Sequence, residues 1–221
     1  MFAVLIGGIF FMPKAHKNST TSGIVVILSG PSTAGKTSIQ KAFQNIASEL
    51  WLKIGLDNFF CEVFPPTYMG KEERAPQLPS DKEVMWITHE TDEHGNNVVP
   101  IHFGPLGIKV MMGMFSAIGA YARAGNNLIV DFIPYDIAWI QCLKNDLQEI
   151  KTYWIDITLP LEVAEAREKE RKTSPIGHAR SHHHKMPHTS TYDLVIDTSR
   201  VNPEEAAHTI YDFIKNHPKS S

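Results

Sequence analysis

The chain has 221 residues, of which 43% are hydrophobic and 20% charged, a composition that indicates a folded globular protein and excludes a disordered one. Its formal net charge is −3, and because nucleic-acid interfaces are strongly basic, we expect no nucleic-acid partner. Cys61 and Cys142 are the only cysteines, which excludes a disulfide framework and favours the reducing cytoplasm.

The first twelve residues, MFAVLIGGIFFM, are apolar and uncharged, and a polar linker follows them. The run is shorter than the roughly 20 residues that span a bilayer, and it lacks the basic start and the cleavage site of a secretory signal. Met12 could be the true initiator, the run could be an arm that packs on the protein body, or it could be a weak membrane or export signal. We expect no stable membrane insertion and assign residues 1–22 to an N-terminal arm and linker.

Residues 23–221 alternate between apolar runs and amphipathic stretches, which predicts a single α/β domain. Five runs predict strands, at residues 24–28, 52–55, 127–132, 152–158 and 192–198. The stretches between and after them predict helices, at residues 36–50, 57–64, 106–124, 136–149, 161–172 and 203–215. Strands that alternate with helices in this way favour a five-stranded parallel sheet with helices on both faces.

Two segments interrupt this alternation. Residues 66–104 form an insertion in which the runs 84–88 and 98–103, separated by the turn-forming sequence DEHGNN, predict a β-hairpin. Residues 172–191 are polar and contain His178, His182–His184 and His188. A metal site is conceivable there, but no cysteine or carboxylate pair accompanies the histidines. We therefore expect a solvated lid segment in which one histidine contacts a ligand.

The sequence GPSTAGKT at residues 30–37 matches the Walker A pattern and lies between a predicted buried strand and a predicted helix. Glycines let the main chain turn tightly, and successive amide N–H groups can then surround phosphate oxygens. Lys36 supplies a cation for the β- and γ-phosphates, and Thr37 supplies a hydroxyl for Mg²⁺. We predict a nucleotide site formed by Gly30, Pro31, Ser32, Thr33, Ala34, Gly35, Lys36, Thr37 and Ser38.

A second candidate for the metal is Asp131, which follows the apolar run LIV. A carboxylate at the end of a buried strand is typical of the Walker B position, which holds Mg²⁺ directly or through water. The alternative is an aspartate that caps the turn before Pro134. Asp156 and Asp197 have similar surroundings but are weaker candidates, so we predict Thr37 and Asp131 as the metal residues.

No base-reading NKxD sequence of a GTPase is present, and the length together with the lid segment favours a small kinase. Five segments between about residues 23 and 214 read VVILSGPSTAGKTS, LKIGLDNFFCEVFP, ARAGNNLIVDFI, AREKER and YDLVIDTS. In these segments the chain resembles the chloramphenicol phosphotransferase-like family.

This resemblance implies a P-loop kinase fold of the nucleoside-monophosphate-kinase type. It also implies transfer of the γ-phosphate of ATP, with Mg²⁺, to a hydroxyl of a small molecule such as a chloramphenicol-like antibiotic, and hence a role in antibiotic resistance. The family's general base corresponds to Asp57. The position of Asp57 after the second strand agrees, because ligands bind at the carboxyl edge of such sheets; a helix N-cap is the alternative role, and the two can coexist.

The sequence departs from the family pattern in two places. Phe132 stands where relatives carry a second acidic residue, and Thr173-Ser174-Pro175 stands where family lids carry an Asp-Arg pair. We therefore expect Arg171 or Arg180 to stabilise the γ-phosphate, a role that suits the guanidinium fork. Aromatic residues that could line the acceptor pocket, or else belong to the core, are Phe59, Phe60, Phe64, Tyr68 and Trp86.

Three functions are compatible with the sequence. The first is a small-molecule O-phosphotransferase, and the second is a nucleoside or nucleotide kinase on the same scaffold. The second would need arginines for a phosphorylated acceptor, and residues 57–70 contain none. The third is a nucleotide-binding regulatory protein with weak transfer activity, which the altered lid favours. The sequence leaves the acceptor alcohol and the oligomeric state open.

Overall fold

A five-stranded parallel sheet forms the centre of the fold in the computed structural model, which describes residues 21–56, 62–69, 76–172, 174–185 and 192–219. Its strands are Val25–Ser29 (β1), Trp51–Gly55 (β2), Asn127–Phe132 (β7), Thr152–Thr158 (β8) and Leu194–Asp197 (β9). They lie in the order β2-β7-β1-β8-β9, and every adjacent pair is parallel. β1 is central and buried at all five residues, as expected where helices cover both faces. The predicted fold class is confirmed.

Helices pack on both faces of this sheet. They are Lys36–Ile46 (α1), Asp81–Val84 (α2), Pro105–Arg123 (α3), Ile137–Asp146 (α4), Leu161–Arg171 (α5), His178–Lys185 (α6) and Pro203–Asn216 (α7), with a short 3₁₀ helix at Pro66–Met69. One hydrophobic core joins α3 and α4 to one face, and a second joins α1 and α7 to the other. The two cores hold the strands in place, so that their carboxyl ends form one rigid edge.

The helix α3 is the one described helix that is long and apolar enough to cross a membrane by length and composition. Its inward side is part of the first core, where Met111, Met114, Phe115 and Ile118 are fully buried. Pro105 occupies the first turn, where its missing N–H has no helical partner to lose. The apolar side of α3 therefore forms much of the hydrophobic core on this face of the sheet.

The predicted hairpin is present, but it consists of two short ladders. Met85–Ile87 (β3) pairs with Ile101–Phe103 (β6), and Glu90–Thr91 (β4) pairs with Asn97–Val98 (β5), all antiparallel. The ladder breaks because Pro100 has no N–H to donate and because the Val99 N–H donates to Gly177 O, outside the hairpin, over 3.0 Å. The hairpin is therefore hydrogen-bonded to Gly177, the residue that precedes α6.

The prediction of a solvated segment is wrong for the part of residues 172–191 that forms α6. Its residues His178, Ala179, Ser181 and His182 are buried. The local sequence is polar, and the helix is fixed by distant groups: the buried Glu168 carboxylate accepts hydrogen bonds from the amides of Gly177 and Ala179 over 2.8 and 2.7 Å. Within the described residues no group of three or more His, Cys, Asp or Glu side chains could hold a metal ion, and His188 lies outside them.

Candidate active site

The loop between β1 and α1 is held in a conformation that few residues tolerate. A Cβ at Gly30 would lie 2.3 Å from Ile157 O, so the close approach of β8 requires glycine there. Gly35 has φ +86 and Thr33 has φ +64, both in the left-handed region. The Thr33 hydroxyl donates to Ala164 O over 3.0 Å, which offsets the cost of that backbone conformation.

Lys36 lies at the start of α1 and folds back over this loop. Its Nζ donates to Pro31 O over 2.7 Å and is 3.4 Å from Oδ1 of Asp131. The side chain is only 4% exposed, and burial of an ammonium group is costly unless it is paired in this way. The structure therefore holds the cation directly above the loop.

Thr37 and Asp131 lie in contact on the same side of the loop. The Thr37 hydroxyl donates to Oδ2 of Asp131 over 2.7 Å, and Asp131 is opposite Leu28 in the β1–β7 register. Two hard oxygen donors, of the kind that Mg²⁺ prefers, are thus adjacent at the carboxyl edge of the sheet. Asp131 therefore contacts Lys36 and Thr37, the first two residues of α1.

A cavity of about 1170 Å³ opens above these residues. The cations in its described lining, Lys36, Lys41, Arg167 and Arg171, come from α1 and α5. Another part of its lining is largely apolar and comprises Thr67, Tyr68, Asp81, Met85, Trp86, Ile87, Ile101, Ile133, Tyr135 and His178. The cavity therefore has a cationic part at the P-loop and an apolar part beside the hairpin.

Arg167 is a cavity residue that sequence reasoning missed. Its Nη1 donates to Thr33 O over 3.3 Å and its Nη2 to Thr198 O over 2.6 Å, so it ties the loop to the segment after β9. Arg171 follows it by four residues and also lines the cavity. Since residues four apart share a helix face, the spacing within AREKER could have indicated Arg167 once Arg171 was chosen.

The two arginines predicted to stabilise the γ-phosphate, Arg171 and Arg180, have different surroundings. Arg180 Nε and Nη2 are both 2.7 Å from Glu165 Oε1, and its Nη1 is 3.2 Å from Asp92 Oδ2. Arg180 is not part of the described cavity lining, which includes Arg171. Its guanidinium instead joins α6 to α5 and to the hairpin turn.

The pKa of Asp92 in the hairpin turn is lowered mainly by hydrogen bonds from amide groups of the same turn. Hydrogen bonds from the backbone and side chain of Asn96, and from the amide of His94, lower the pKa of Asp92 from 3.8 to about 2, with a further contribution from Arg180. A carboxylate with so low a pKa is charged throughout the neutral range. The turn therefore presents a permanent anion to Arg180.

Asp57, the predicted general base, lies outside the described residues, as do Phe59 and Phe60. The preceding strand is described: Gly55, its last residue, is opposite Asp131 in the β2–β7 register. The chain therefore leaves β2 at the same sheet edge as Asp131.

The predicted aromatic pocket divides into core and cavity residues. Phe64 is buried in the first core and packs edge-on against Tyr68, with ring centres 6.5 Å apart. Tyr68 and Trp86 line the cavity. Of the weaker carboxylate candidates, Asp197 accepts hydrogen bonds from the hydroxyl and then the amide of Ser199, which lower its pKa, so it caps its own turn.

Comparison with known proteins was made against families, individual sequences and solved structures. A family model described as chloramphenicol phosphotransferase-like protein matches residues 23–215. Proposed O-phosphotransferases of two Mycobacterium tuberculosis strains are each 26% identical over 190 residues, which covers 86% of this chain and 81% of theirs.

Three solved structures superpose on most of the chain. The APS kinase CysC of Mycobacterium tuberculosis, in complex with AMPPNP and APS, has a TM-score of 0.59 at 12% identity, covering 88% of this chain and 98% of its own. A sugar kinase from Janibacter sp. HTCC2649 has a TM-score of 0.56 at 16% identity, covering 90% and 97%. The tunicamycin resistance protein of Deinococcus radiodurans has a TM-score of 0.52 at 14% identity, covering 88% and 96%. These similarities establish the P-loop kinase fold.

Proposed function

Because this chain belongs to the chloramphenicol phosphotransferase-like family, we propose that it is an ATP-dependent O-phosphotransferase acting on a hydroxyl of a small molecule, such as chloramphenicol or a related alcohol. The observation that carries this proposal is the contact of Lys36 and Thr37 with Asp131 in the wall of a cavity that also has a largely apolar part. A cytoplasmic location and a role in antibiotic resistance are parts of the same proposal.

The cationic part of the cavity suits the triphosphate of ATP. The main-chain amides of the loop and the Lys36 ammonium bind phosphate oxygens in this proposal, as in other Walker A loops. Arg171 stabilises the γ-phosphate, and Arg167 keeps Thr33 in its left-handed conformation through the bond to its carbonyl. Val201 and Pro203, which line the cavity beyond Thr198, provide an apolar surface for the adenine ring of ATP.

The oxygen pair of Thr37 and Asp131 fits Mg²⁺, because both groups are hard ligands and lie 2.7 Å apart. When bound, Mg²⁺ would neutralise negative charge on the phosphate oxygens. Thr37 and Asp131 would hold the ion, and Lys36, whose Nζ is 3.4 Å from Oδ1 of Asp131, orients that carboxylate. The contact between Thr37 and Asp131 thus prepares the site for the metal.

Asp57 is the proposed general base. Its carboxylate takes the proton of the acceptor hydroxyl as the acceptor oxygen forms a bond to the γ-phosphorus. The bond from that phosphorus to the oxygen bridging the β- and γ-phosphates breaks, and ADP leaves with that oxygen. A base held at this position contributes about 10²–10⁴-fold to the rate.

Charge in the apolar part of the cavity distinguishes the two kinase hypotheses. No lysine or arginine belongs to that part among the residues that the structure describes, where the one carboxylate is Asp81. A nucleotide kinase has to bind the phosphate of its acceptor, for which arginine is the usual residue. The distribution of cations therefore supports an acceptor without a phosphate group.

A regulatory nucleotide-binding protein with weak transfer activity is the second candidate. It is favoured by the engagement of Arg180 with Glu165 and Asp92, which leaves Arg171 as the lid-side arginine of the described cavity. If Arg171 is the one cation that stabilises the γ-phosphate from that side, transfer could be slow although ATP binds.

The proposal is tested with ATP labelled in its γ-phosphate and a panel of acceptors: chloramphenicol, tunicamycin, glucose, thymidine and thymidine monophosphate. We expect transfer of label to an unphosphorylated alcohol, and a loss of roughly 100-fold or more in Lys36→Ala. Lys109→Ala, which removes an exposed lysine of α3, is the matched control.

Transfer confined to thymidine or to thymidine monophosphate would favour the nucleoside or nucleotide kinase. Binding of ATP without transfer to any alcohol of the panel would overturn the phosphotransferase and favour the regulatory protein.

A further inference from the structure

Gln40 is a buried polar residue of α1 to which the proposed chemistry assigns no role. Only 3% of it is exposed. Its Nε2 donates to Ile54 O of β2 over 2.8 Å and to Ile129 O of β7 over 2.9 Å. A side-chain amide nitrogen carries two N–H donors, so each of them is directed to a different strand. Gln40 therefore fixes α1 to β2 and β7 at one point.

This point lies close to the proposed metal ligands in both elements. Gln40 follows Thr37 by three residues of α1, about one helical turn, and Ile129 precedes Asp131 by two residues of β7. Side chains two apart lie on the same face of a strand, and Ile129 belongs to the hydrophobic core that α1 covers. The amide thus joins α1 to β7 beside the contact between Thr37 and Asp131.

The rest of the packing of α1 on the sheet is less directional. Beyond Lys36, the other buried residues of α1 are Ile39, Ala42 and Phe43, and apolar burial stabilises a helix without a preferred direction. Hydrogen bonds depend on both distance and angle. Gln40 therefore adds to this packing the directional contacts that fix where α1 lies relative to β7.

We propose that Gln40 is a positioning residue for the metal, whose two hydrogen bonds hold the Thr37 hydroxyl and the Asp131 carboxylate at the separation that Mg²⁺ needs. This inference rests on the proposed phosphotransferase function, with Thr37 and Asp131 as its Mg²⁺ ligands. Mg²⁺ tolerates little departure from octahedral geometry, so a small shift of α1 along β7 weakens its binding. Residues that orient the ligands of a metal commonly contribute about 10- to 100-fold to its affinity.

Gln44 offers a matched control on the same helix. It lies about one turn further along α1, and its Nε2 donates to Trp51 O of β2 over 2.7 Å. Trp51 is opposite Asn127 in the β2–β7 register, four positions before Asp131. Gln40→Met and Gln44→Met each remove amide donors to the sheet with little change in side-chain volume. Only the first does so beside the proposed metal ligands.

The measurement is calorimetric binding of a non-hydrolysable ATP analogue in excess Mg²⁺ and in EDTA. The ratio of the two dissociation constants gives the gain in affinity that Mg²⁺ provides. We expect this gain to fall about 10-fold in Gln40→Met, with the dissociation constant in EDTA unchanged, and to keep its wild-type value in Gln44→Met. In label transfer, Gln40→Met should need about 10-fold more Mg²⁺ for its half-maximal rate.

Gln40→Asn is the second variant, which is used if Gln40→Met does not fold. It keeps the amide but is one methylene shorter, so the amide is withdrawn from the carbonyls of Ile54 and Ile129. We expect the gain in affinity from Mg²⁺ to fall in this variant as well, again with no change in EDTA.

A wild-type gain in a folded Gln40 variant would overturn the inference. So would an equal fall in Gln44→Met, or an equal loss of affinity in Mg²⁺ and in EDTA, because either pattern indicates a general effect on α1. A wild type whose affinity gains nothing from Mg²⁺ would overturn the assignment of Thr37 and Asp131, and this inference with it.

Label transfer by the wild type separates this inference from the proposed function. A wild type that transfers label to no alcohol of the panel would overturn the phosphotransferase, whatever the gain from Mg²⁺. A wild type that does transfer label, with Gln40 variants that keep the wild-type gain, would overturn the role of Gln40 alone.

Discussion

The Thr37 hydroxyl donates a hydrogen bond to Oδ2 of Asp131 over 2.7 Å, although 94 positions separate the two residues. They meet because β1 and β7 are adjacent parallel strands, in which Leu28 is opposite Asp131. Oδ1 of the same carboxylate is 3.4 Å from Lys36 Nζ. Both oxygens are therefore oriented by the first two residues of α1, and the site is preorganised by the sheet.

Replacing Thr37 or Asp131 should impair transfer. We expect Thr37→Ala and Asp131→Asn each to lower kcat/KM by roughly 100-fold, because each removes an oxygen ligand proposed for Mg²⁺. Thr37→Ser keeps the hydroxyl and should retain most of the activity. The measurement is label transfer as a function of Mg²⁺ concentration; a Thr37→Ala variant with a wild-type Mg²⁺ dependence would contradict the assignment.

The role proposed for Asp57 can be tested separately from nucleotide binding. We expect Asp57→Asn to keep the affinity for ATP and to lose about 10²–10⁴-fold in transfer, because the amide cannot take the acceptor's proton. Calorimetric titration with a non-hydrolysable ATP analogue measures the first quantity and label transfer the second. Asparagine caps helices as well as aspartate, so the substitution is compatible with the alternative role predicted from the sequence, a helix N-cap. Full activity in Asp57→Asn would remove the base assignment and leave that alternative.

The two arginines should respond differently to removal. Arg171→Ala should lower kcat by roughly 10²-fold, because it removes the cation proposed for the γ-phosphate. Arg180→Ala should leave kcat near that of the wild type but lower the free energy of unfolding by about 1–3 kcal/mol, since it leaves Glu165 and Asp92 without their shared partner. Steady-state kinetics and urea unfolding of the two variants test this pair, and an unchanged kcat in both would exclude both arginines from the role.

The sheet could be predicted from the sequence because its signals are local. The apolar runs of β1 and β7 are buried on both faces, and the prediction for β8, residues 152–158, has the same bounds as the strand. Helix ends were less predictable: α1 ends at Ile46, since Ala47 is already extended with ψ 137, although the sequence pattern continues to residue 50. The P-loop was recognisable because its glycines and Lys36 have fixed offsets.

The burial of α6 could not be predicted, because distant residues determine it. Nothing in the polar sequence of α6 indicates burial; the helix forms where Glu168 receives the amides of Gly177 and Ala179 and where Val99 contacts His178 and Ser181. Arg180 looked suitable for a phosphate for the same reason, since its carboxylate partners are 15 and 88 positions away. Only the fold shows which charges are already paired.

Asp92, in the hairpin turn, should make the free energy of unfolding depend on pH in the acid range. Its pKa falls from 3.8 to about 2 because the amide and side chain of Asn96, then the amide of His94 and Arg180, bond to or attract the carboxylate. Between these two values the unfolded chain binds more protons than the folded one, so stability rises with pH. The contribution is complete above about pH 4 and is lost as the pH falls through about 2.

Urea unfolding of the wild type and of Asp92→Asn from pH 2 to 6 measures this contribution. We expect the free energy of unfolding of the wild type to rise more steeply between pH 2 and 4 than that of Asp92→Asn, with parallel curves above pH 4. Glu93→Gln, which changes an exposed neighbour in the same turn, should follow the wild type. If Asp92→Asn and the wild type gave parallel curves over the whole range, the low pKa and its contribution to the turn would both be refuted.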